Sequence, residues 1–483
     1  MEEIDIATIT KRSVHGVFAL VSRTFFIQLI AFVTNFILTI FLTPATFGVY
    51  FVVSAAINFL GYFSDIGLAA ALIQKKEEIT REELKTTFTI QQLMVVTIVI
   101  IALLISNWVG AFYKLNSDGV ILFQALAIAF FLSSLKTIPS IILERKLFFQ
   151  KLVIPQIVET IVFSVIVVTL AIKGYGIASF TYAVLARGIS GLITMYVVAP
   201  WKIGLGLSKS AARKLLSFGV PFQLNSVLAL LKDDLFIVYL GKVLPIAQVG
   251  YIGFAQKWAF TPLRLIMDNV IRITFPSFSR LQHEKEVLAR AVEKALFASS
   301  LFIFPSIVGL VTLFPYFIRI IPKYEKWEPA ILSLIFFGIS VVFSSISTPL
   351  TNALNAIGQI KKTLYLMIFW TVATWVLTPI LILTLGFNGV AIASAIISLS
   401  VVAVVLIMRR YVKFDPFIIR YPLLSSLVMG IFIYLVSSFL IVDLIGLLII
   451  IIAAIVIYFL TMLIFAKQEI TSNFHLITKN LRA

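Results

Sequence analysis

Tyr251–Phe278, YIGFAQKWAFTPLRLIMDNVIRITFPSF, is the stretch whose reading decides the rest of the chain. Most of it is apolar enough to sit in a membrane, yet it carries Lys257, Arg264, Asp268 and Arg272. On a helix advancing about 100° per residue these four fall within an arc of roughly 80°. Each such charge near a bilayer centre costs about 2.5–3.5 kcal/mol, so a row of them cannot face lipid. The row must line something wet or be paired inside a bundle. Arg264 and Asp268 are spaced i,i+4 and can partly neutralise each other, which leaves the face with a net charge of about +2.

The surrounding sequence supplies the membrane. The 483 residues are 60% hydrophobic, with a mean hydropathy of +1.07. Apolar runs of about twenty residues follow one another from Phe18 to Phe465, each long enough to cross the hydrocarbon core as a helix. A membrane barrel would show short alternating strands instead. The expected fold class is therefore an all-α polytopic membrane protein of about 14 transmembrane helices. The spans read as roughly 15–41, 47–73, 87–109, 118–141, 153–172, 176–200, 215–240, 246–275, 291–320, 328–352, 363–385, 387–408, 421–441 and 443–466.

A formal charge of +17 would suit a nucleic-acid partner, but its distribution points elsewhere. With the N-terminus inside, 26 of the 39 Lys and Arg fall in internal segments, 6 in external ones and 7 within spans. That asymmetry is a positive-inside signal, and it predicts both termini in the cytoplasm and insertion in the cytoplasmic membrane. The basicity reports topology, and no nucleic-acid partner is expected. Membrane lipids are expected partners.

Cysteine is absent, which excludes disulfides and thiolate metal sites. No GxxxxGK[ST] phosphate loop and no HExxH motif occurs, and His15, His283 and His475 are scattered. No catalytic residue, cofactor or metal is expected, and the chain reads as a transporter, not an enzyme. The loops are too short for a soluble domain, so the activity must lie within the membrane part.

The chain also matches itself. Ser133–Pro139 (SSLKTIP) parallels Ser344–Pro349 (SSISTP), and Gly174-Tyr175-Gly176-Ile177-Ala178 parallels Gly386-Phe387-Asn388-Gly389-Val390-Ala391. Pro44 to Gly48 with Tyr50 parallels Pro245 to Gly250 with Tyr251. The offsets are 211, 212 and 201, in one order and separated by six spans. An even number of spans means a parallel repeat about the membrane normal, a transporter pattern. The expected organisation is a six-helix lobe over 1–205, a second over 206–412, and two additional helices with a tail over 413–483.

Other polar residues lie inside spans. Ser54, Asn58, Gly61 and Asp65 share one face of the second span, where Asp65 needs either a cation partner or water. Lys232, Asp233 and Asp234 in the seventh span fit an internal Lys–Asp pairing or a role in ion coupling. Arg23 can snorkel to the inner surface or line a cavity. Lys136, Glu159 and Arg187 are open to the same two readings. The basic face of the eighth span suits an anionic guest, and a diphosphate is the membrane-borne candidate.

Phe47-Gly48-Val49-Tyr50, then Phe63-Ser64-Asp65-Ile66-Gly67-Leu68 and Ala70-Ala71-Leu72-Ile73-Gln74, resemble the second-span signature of polysaccharide-transport flippases. These are the Wzx-type O-antigen and lipid-linked oligosaccharide flippases of the MATE/oligosaccharidyl-lipid/polysaccharide exporter superfamily. The resemblance implies two lobes around a cavity that opens alternately to each side. It also implies an undecaprenyl-diphosphate-linked oligosaccharide as substrate, and polysaccharide polymerase machinery as a partner. Family members use cavity cations on the first and eighth helices, which here carry Arg23 and Arg264 with Arg272. The expected cavity set is Arg23, Asp65, Lys257, Arg264, Asp268 and Arg272, with Lys232, Asp233 and Asp234 as coupling or further cavity residues. A peptidoglycan-precursor flippase or a cation-coupled multidrug antiporter of the same fold are the alternatives; the antiporter calls for an acidic cavity.

Overall fold

Short polar residues set the helix starts. Thr43 caps the second helix and Pro44 takes its first turn, where a missing N–H removes nothing. Thr80 and Glu83 form a reciprocal capping box before a 33-residue helix, and Lys75 holds Glu83 at 2.8 Å. Asn116 and Asp443 each accept from a backbone N–H three residues on. Between these caps the apolar runs leave no competing conformation.

The computed structural model describes residues 26–64, 66–75, 77–224, 230 and 234–466, with the backbone alone for 218, 221, 222 and 224. The helices are α1 (Phe26–Phe41), α2 (Pro44–Gly61), α3 (Leu68–Gln74), α4 (Arg81–Tyr113), α5 (Ser117–Ser134) and α6 (Thr137–Arg145). Then come α7 (Phe149–Ile172), α8 (Ala178–Val198), α9 (Lys209–Leu224), α10 (Asp234–Val243), α11 (Ile246–Arg280) and α12 (Lys285–Ile320). The last are α13 (Ile331–Ala356), α14 (Ile360–Leu385), α15 (Asn388–Ser398), α16 (Val401–Arg409), α17 (Arg420–Leu440) and α18 (Leu444–Phe465). No strand occurs among the described residues.

Eleven helical segments of the described residues are long and apolar enough to cross a membrane. Three of the fourteen segments read from the sequence fall outside that set. The first is described only from Phe26, and the seventh is α9 and α10 with little described between them. The 35-residue α11 is long enough but too polar, and its charges are the ones that opened the sequence reading.

Packing divides the chain into Met1–Gly250 and Tyr251–Ala483. In the first unit α8 packs along both α7 and α5, α4 along α5, and α2 against α5 and α10. In the second, α12 packs on α13 and on α17, α17 pairs with α18, and α13 takes α15 and α16. Lipid tails are as apolar as leucine, so close fit and polar contacts, not exclusion from water, hold these helices. Phe278, Leu288, Val292, Leu296, Phe304, Leu350 and Met408 interlock at one end of the second unit. Met429, Ile433, Ile450 and Tyr458 seat α17 and α18, and the Tyr458 hydroxyl donates to the Leu301 carbonyl at 2.6 Å.

In the first unit the starts of α2 and α11 cross each other reciprocally. A Cβ on Gly48 would stand 1.8 Å from the Ile246 carbonyl oxygen, and one on Gly250 would stand 1.9 Å from that of Pro44. Each helix start lays its glycine on the other's backbone, which only glycine permits at this approach. The two pairs, 44 with 246 and 48 with 250, share an offset of 202, beside the 201 read from sequence.

Candidate functional site: a charged helix face

α11 is held by buried apolar residues, while its charged side chains are left exposed. Ile252, Ala255 and Ala259 are buried and lie roughly opposite the charges, while buried Met267 and Phe278 lie on one flank. Phe254 stacks on fully buried Trp327 at 4.0 Å and 11°, with Phe314 at 5.6 Å completing the aromatic seat. Farther along, the Asn352 side-chain amide donates to the Thr274 hydroxyl at 2.9 Å. Pro262 and Pro276 remove two backbone donors within the helix and so free the carbonyls of Trp258 and Arg272.

Lys257, Arg264, Asp268 and Arg272 are all exposed, on the one face that the helical period predicts. Fifteen residues separate the first from the last, so the row runs about 22 Å along the helix. Among the described residues none of the four takes part in an ion pair within 4.0 Å. The i,i+4 pairing of Arg264 with Asp268 expected from their spacing is thus not formed. Three cations and one carboxylate stand free, with their donors available.

The other sequence candidates fare differently. Arg23, Asp65, Lys232 and Asp233 lie outside the described residues. Asp234 opens α10 and accepts from the Asn58 side chain on α2 at 3.4 Å, so the polar face of the second span meets the seventh. Tyr62, one turn beyond Asn58, donates its hydroxyl to the Gln223 carbonyl, and the Gln223 amide returns a bond to the Tyr62 carbonyl at 2.9 Å.

A second charged group assembles in the first unit. Pro139 cannot donate to the Leu135 carbonyl, and the helix breaks between α5 and α6; the Tyr196 hydroxyl takes that carbonyl at 3.1 Å. The break places Lys136 beside Glu159 of α7, with which it forms a close ion pair. Arg187 of α8 approaches the other Glu159 oxygen at 3.6 Å. Gly191 makes the room, since a Cβ there would overlap the Glu159 carboxylate. The sequence reading left these three unassigned. They lie 23 and 28 residues apart, in the α5–α6 link and on α7 and α8, and no local spacing announces their meeting.

The comparisons with known proteins bear on the fold and the family. The fold is similar to that of a lipid II flippase MurJ in an inward closed conformation, with a TM-score of 0.77 and 18% identity over 93% of this chain and 99% of that one. It is also similar to an inward-facing multidrug resistance MATE family transporter of the MOP superfamily, with a TM-score of 0.60 and 16% identity over 79% and 94%. The class is therefore a multi-pass helical membrane protein with the fold these transporters share. A family model described as "Polysaccharide biosynthesis protein" matches residues 37–332, more than half of the chain, and the chain belongs to that family. Among its relatives are the lipopolysaccharide biosynthesis protein WzxC of Escherichia coli (strain K12), 24% identical over 73% of each chain, and the teichuronic acid biosynthesis protein TuaB of Bacillus subtilis (strain 168), 24% identical over 62% of each. The succinoglycan biosynthesis transport protein ExoT of Rhizobium meliloti (strain 1021) is 23% identical over 58% of this chain and 57% of its own.

Proposed function

We propose that this protein is a flippase that carries an undecaprenyl-diphosphate-linked oligosaccharide across the cytoplasmic membrane for polysaccharide synthesis. The observation that carries the reading is the face of α11, where Lys257, Arg264 and Arg272 stand exposed and unpaired over about 22 Å. A guanidinium offers a planar fork of donors that matches phosphate oxygens, and a diphosphate brings enough negative charge to offset a face of about +2. Family membership supplies the process, and relatives named for lipopolysaccharide, teichuronic acid and succinoglycan point to a lipid-linked glycan.

In this reading the lobes 1–205 and 206–412 exchange access to a shared cavity, and 413–483 supports the second. Arg23 and Asp65, outside the described residues, are the further residues expected to contact the substrate. The lipid tail stays in the bilayer while the diphosphate and proximal sugars follow the polar path. Asp268, Asp234 and the neighbouring Lys232 and Asp233 are the groups through which an ion gradient would couple. Both termini face the cytoplasm, in keeping with the distribution of Lys and Arg. The polymerase that consumes the exported units is the expected partner.

The test is transport of a lipid-linked oligosaccharide in proteoliposomes by the wild type and by Arg264→Ala/Arg272→Ala. Loss of transport with normal membrane insertion is expected. Full transport by the double variant would remove the α11 face from the substrate path.

A further inference from the structure

Arg187 is the tenth residue of the 21-residue α8, about 14 Å from one helix end and 17 Å from the other. It therefore lies at the depth where a charge is most expensive. A guanidinium cannot shed its proton there. Three polar side chains of the same unit are bonded: Gln92 donates to Ser134 at 3.1 Å, Gln124 to Ser106 at 2.9 Å, and Tyr196 to the Leu135 carbonyl. Arg187 is not. Among the described residues no hydrogen bond engages its guanidinium, and its one ion-pair partner, Glu159, is 3.6 Å away.

That partner is already committed. Glu159 is buried and its carboxylate is in close contact with the Lys136 ammonium, so one negative charge faces two positive ones. The group keeps a net charge of +1, concentrated on the member that is half-exposed, since the Arg187 side chain is 52% accessible while Lys136 and Glu159 are 12% and 11% accessible. An excess cation repels a metal ion. It calls for an oxyanion that can take a fork of N–H donors.

We propose that Arg187 is a second anion-binding site, built into the first unit, that takes a carboxylate or phosphate group. Under the flippase reading, on which this part rests, the occupant is an acidic substituent of the glycan, and Arg187 selects for charged repeat units. The same chemistry is met by an anionic lipid headgroup.

The experiment uses the purified full chain in nanodiscs of phosphatidylcholine containing a minor fraction of phosphatidylglycerol. Two probes are compared, a short-chain polyprenyl-diphosphate disaccharide ending in glucuronate and its glucose counterpart. Wild type is expected to favour the glucuronate probe, and Arg187→Gln to lose about tenfold in affinity for it, with the glucose probe unchanged, as one charge-assisted contact predicts. In a second arm, native mass spectrometry follows retained phosphatidylglycerol. Its loss in Arg187→Gln, with no change in either glycan affinity, assigns the site to a headgroup. Unchanged values in both arms overturn the proposal.

If Arg187→Gln does not fold, Arg187→Lys serves instead. An ion pair with Glu159 alone predicts no change in either arm, and an anion fork predicts weaker binding. A wild type that binds neither glycan probe would sink the flippase reading while the lipid arm still decides Arg187.

Discussion

In the first unit Lys136 of the α5–α6 link and Arg187 of α8 converge on the carboxylate of Glu159 of α7. At the repeat offset of 211, Lys136 and Glu159 become Ser347 and Trp370, and at 212 Arg187 becomes Leu399. There the Trp370 indole donates to the Ser400 hydroxyl at 2.8 Å, a neutral bond joining α14 to the link between α15 and α16. The helix starts reverse the pattern. α2 carries no charge between Pro44 and Gly61, whereas its counterpart α11 carries the exposed row. Charge shared across helices ties them together, and only its excess, on half-exposed Arg187, is left over. Charge confined to one exposed face is left for a ligand.

The comparison predicts opposite responses to the loss of a charge. Glu159→Ala leaves the Lys136 ammonium in a site of 12% accessibility without its carboxylate. Breaking a buried pair by removing one partner costs about 3–5 kcal/mol. Unfolding in detergent should register a loss of that order, and a loss under about 1 kcal/mol would mean the pair is solvated like a surface bridge.

The next effect probes where the halves are alike. Gly48→Ala and Gly250→Ala each push a methyl onto the other helix's carbonyl oxygen, at 1.8 and 1.9 Å before relaxation. Overpacking of this kind costs about 1–3 kcal/mol. The two variants should lose similar stability in the same unfolding assay, because the contact is reciprocal. A large difference between them would show that the two crossings are not equivalent.

A smaller effect sits beneath the charged face. Asn352→Ala removes the amide donor to Thr274 and with it a net contribution of about 0.5–1.5 kcal/mol. Its use is to separate support from contact: the variant should unfold slightly earlier while the charges of α11 remain. A drop in substrate affinity as large as that of an arginine variant would mean that the helix orientation, not its charges, sets binding.

Much of this was legible because helices of a membrane protein announce themselves one by one. Apolar runs locate α7, α8, α13, α14, α17 and α18 within about four residues and α4, α11 and α12 within about six, and the 100° period places Lys257, Arg264, Asp268 and Arg272 on one face without a neighbour being known. The i,i+4 spacing of Arg264 and Asp268 permits partial neutralisation, but the exposed side chains form no ion pair. The break at Leu135–Lys136 and the interruption at Tyr62–Ser64 escaped because hydropathy is continuous through both. The Lys136–Glu159–Arg187 group was out of reach for a different reason. Its members meet through tertiary packing, and one sequence with no alignment carries no signal for contacts 23 and 28 residues apart.

The smallest stability effect is expected where the functional effect is largest. Arg264 and Arg272 touch no carboxylate among the described residues, and both are exposed. Arg264→Ala/Arg272→Ala therefore removes no folded-state contact that unfolding must break, and substitutions of this kind stay within about 0.5 kcal/mol. Removing two like charges from a face of three cations also relieves repulsion, so a slight gain is the favoured sign. Unfolding of the double variant should overlay that of the wild type while its diphosphate binding fails. If instead the protein loses several kcal/mol, as Glu159→Ala should, then the α11 charges are structural ties like those of the first unit. The distinction between a braced and an open set of charges would then fall with the ligand assignment built on it.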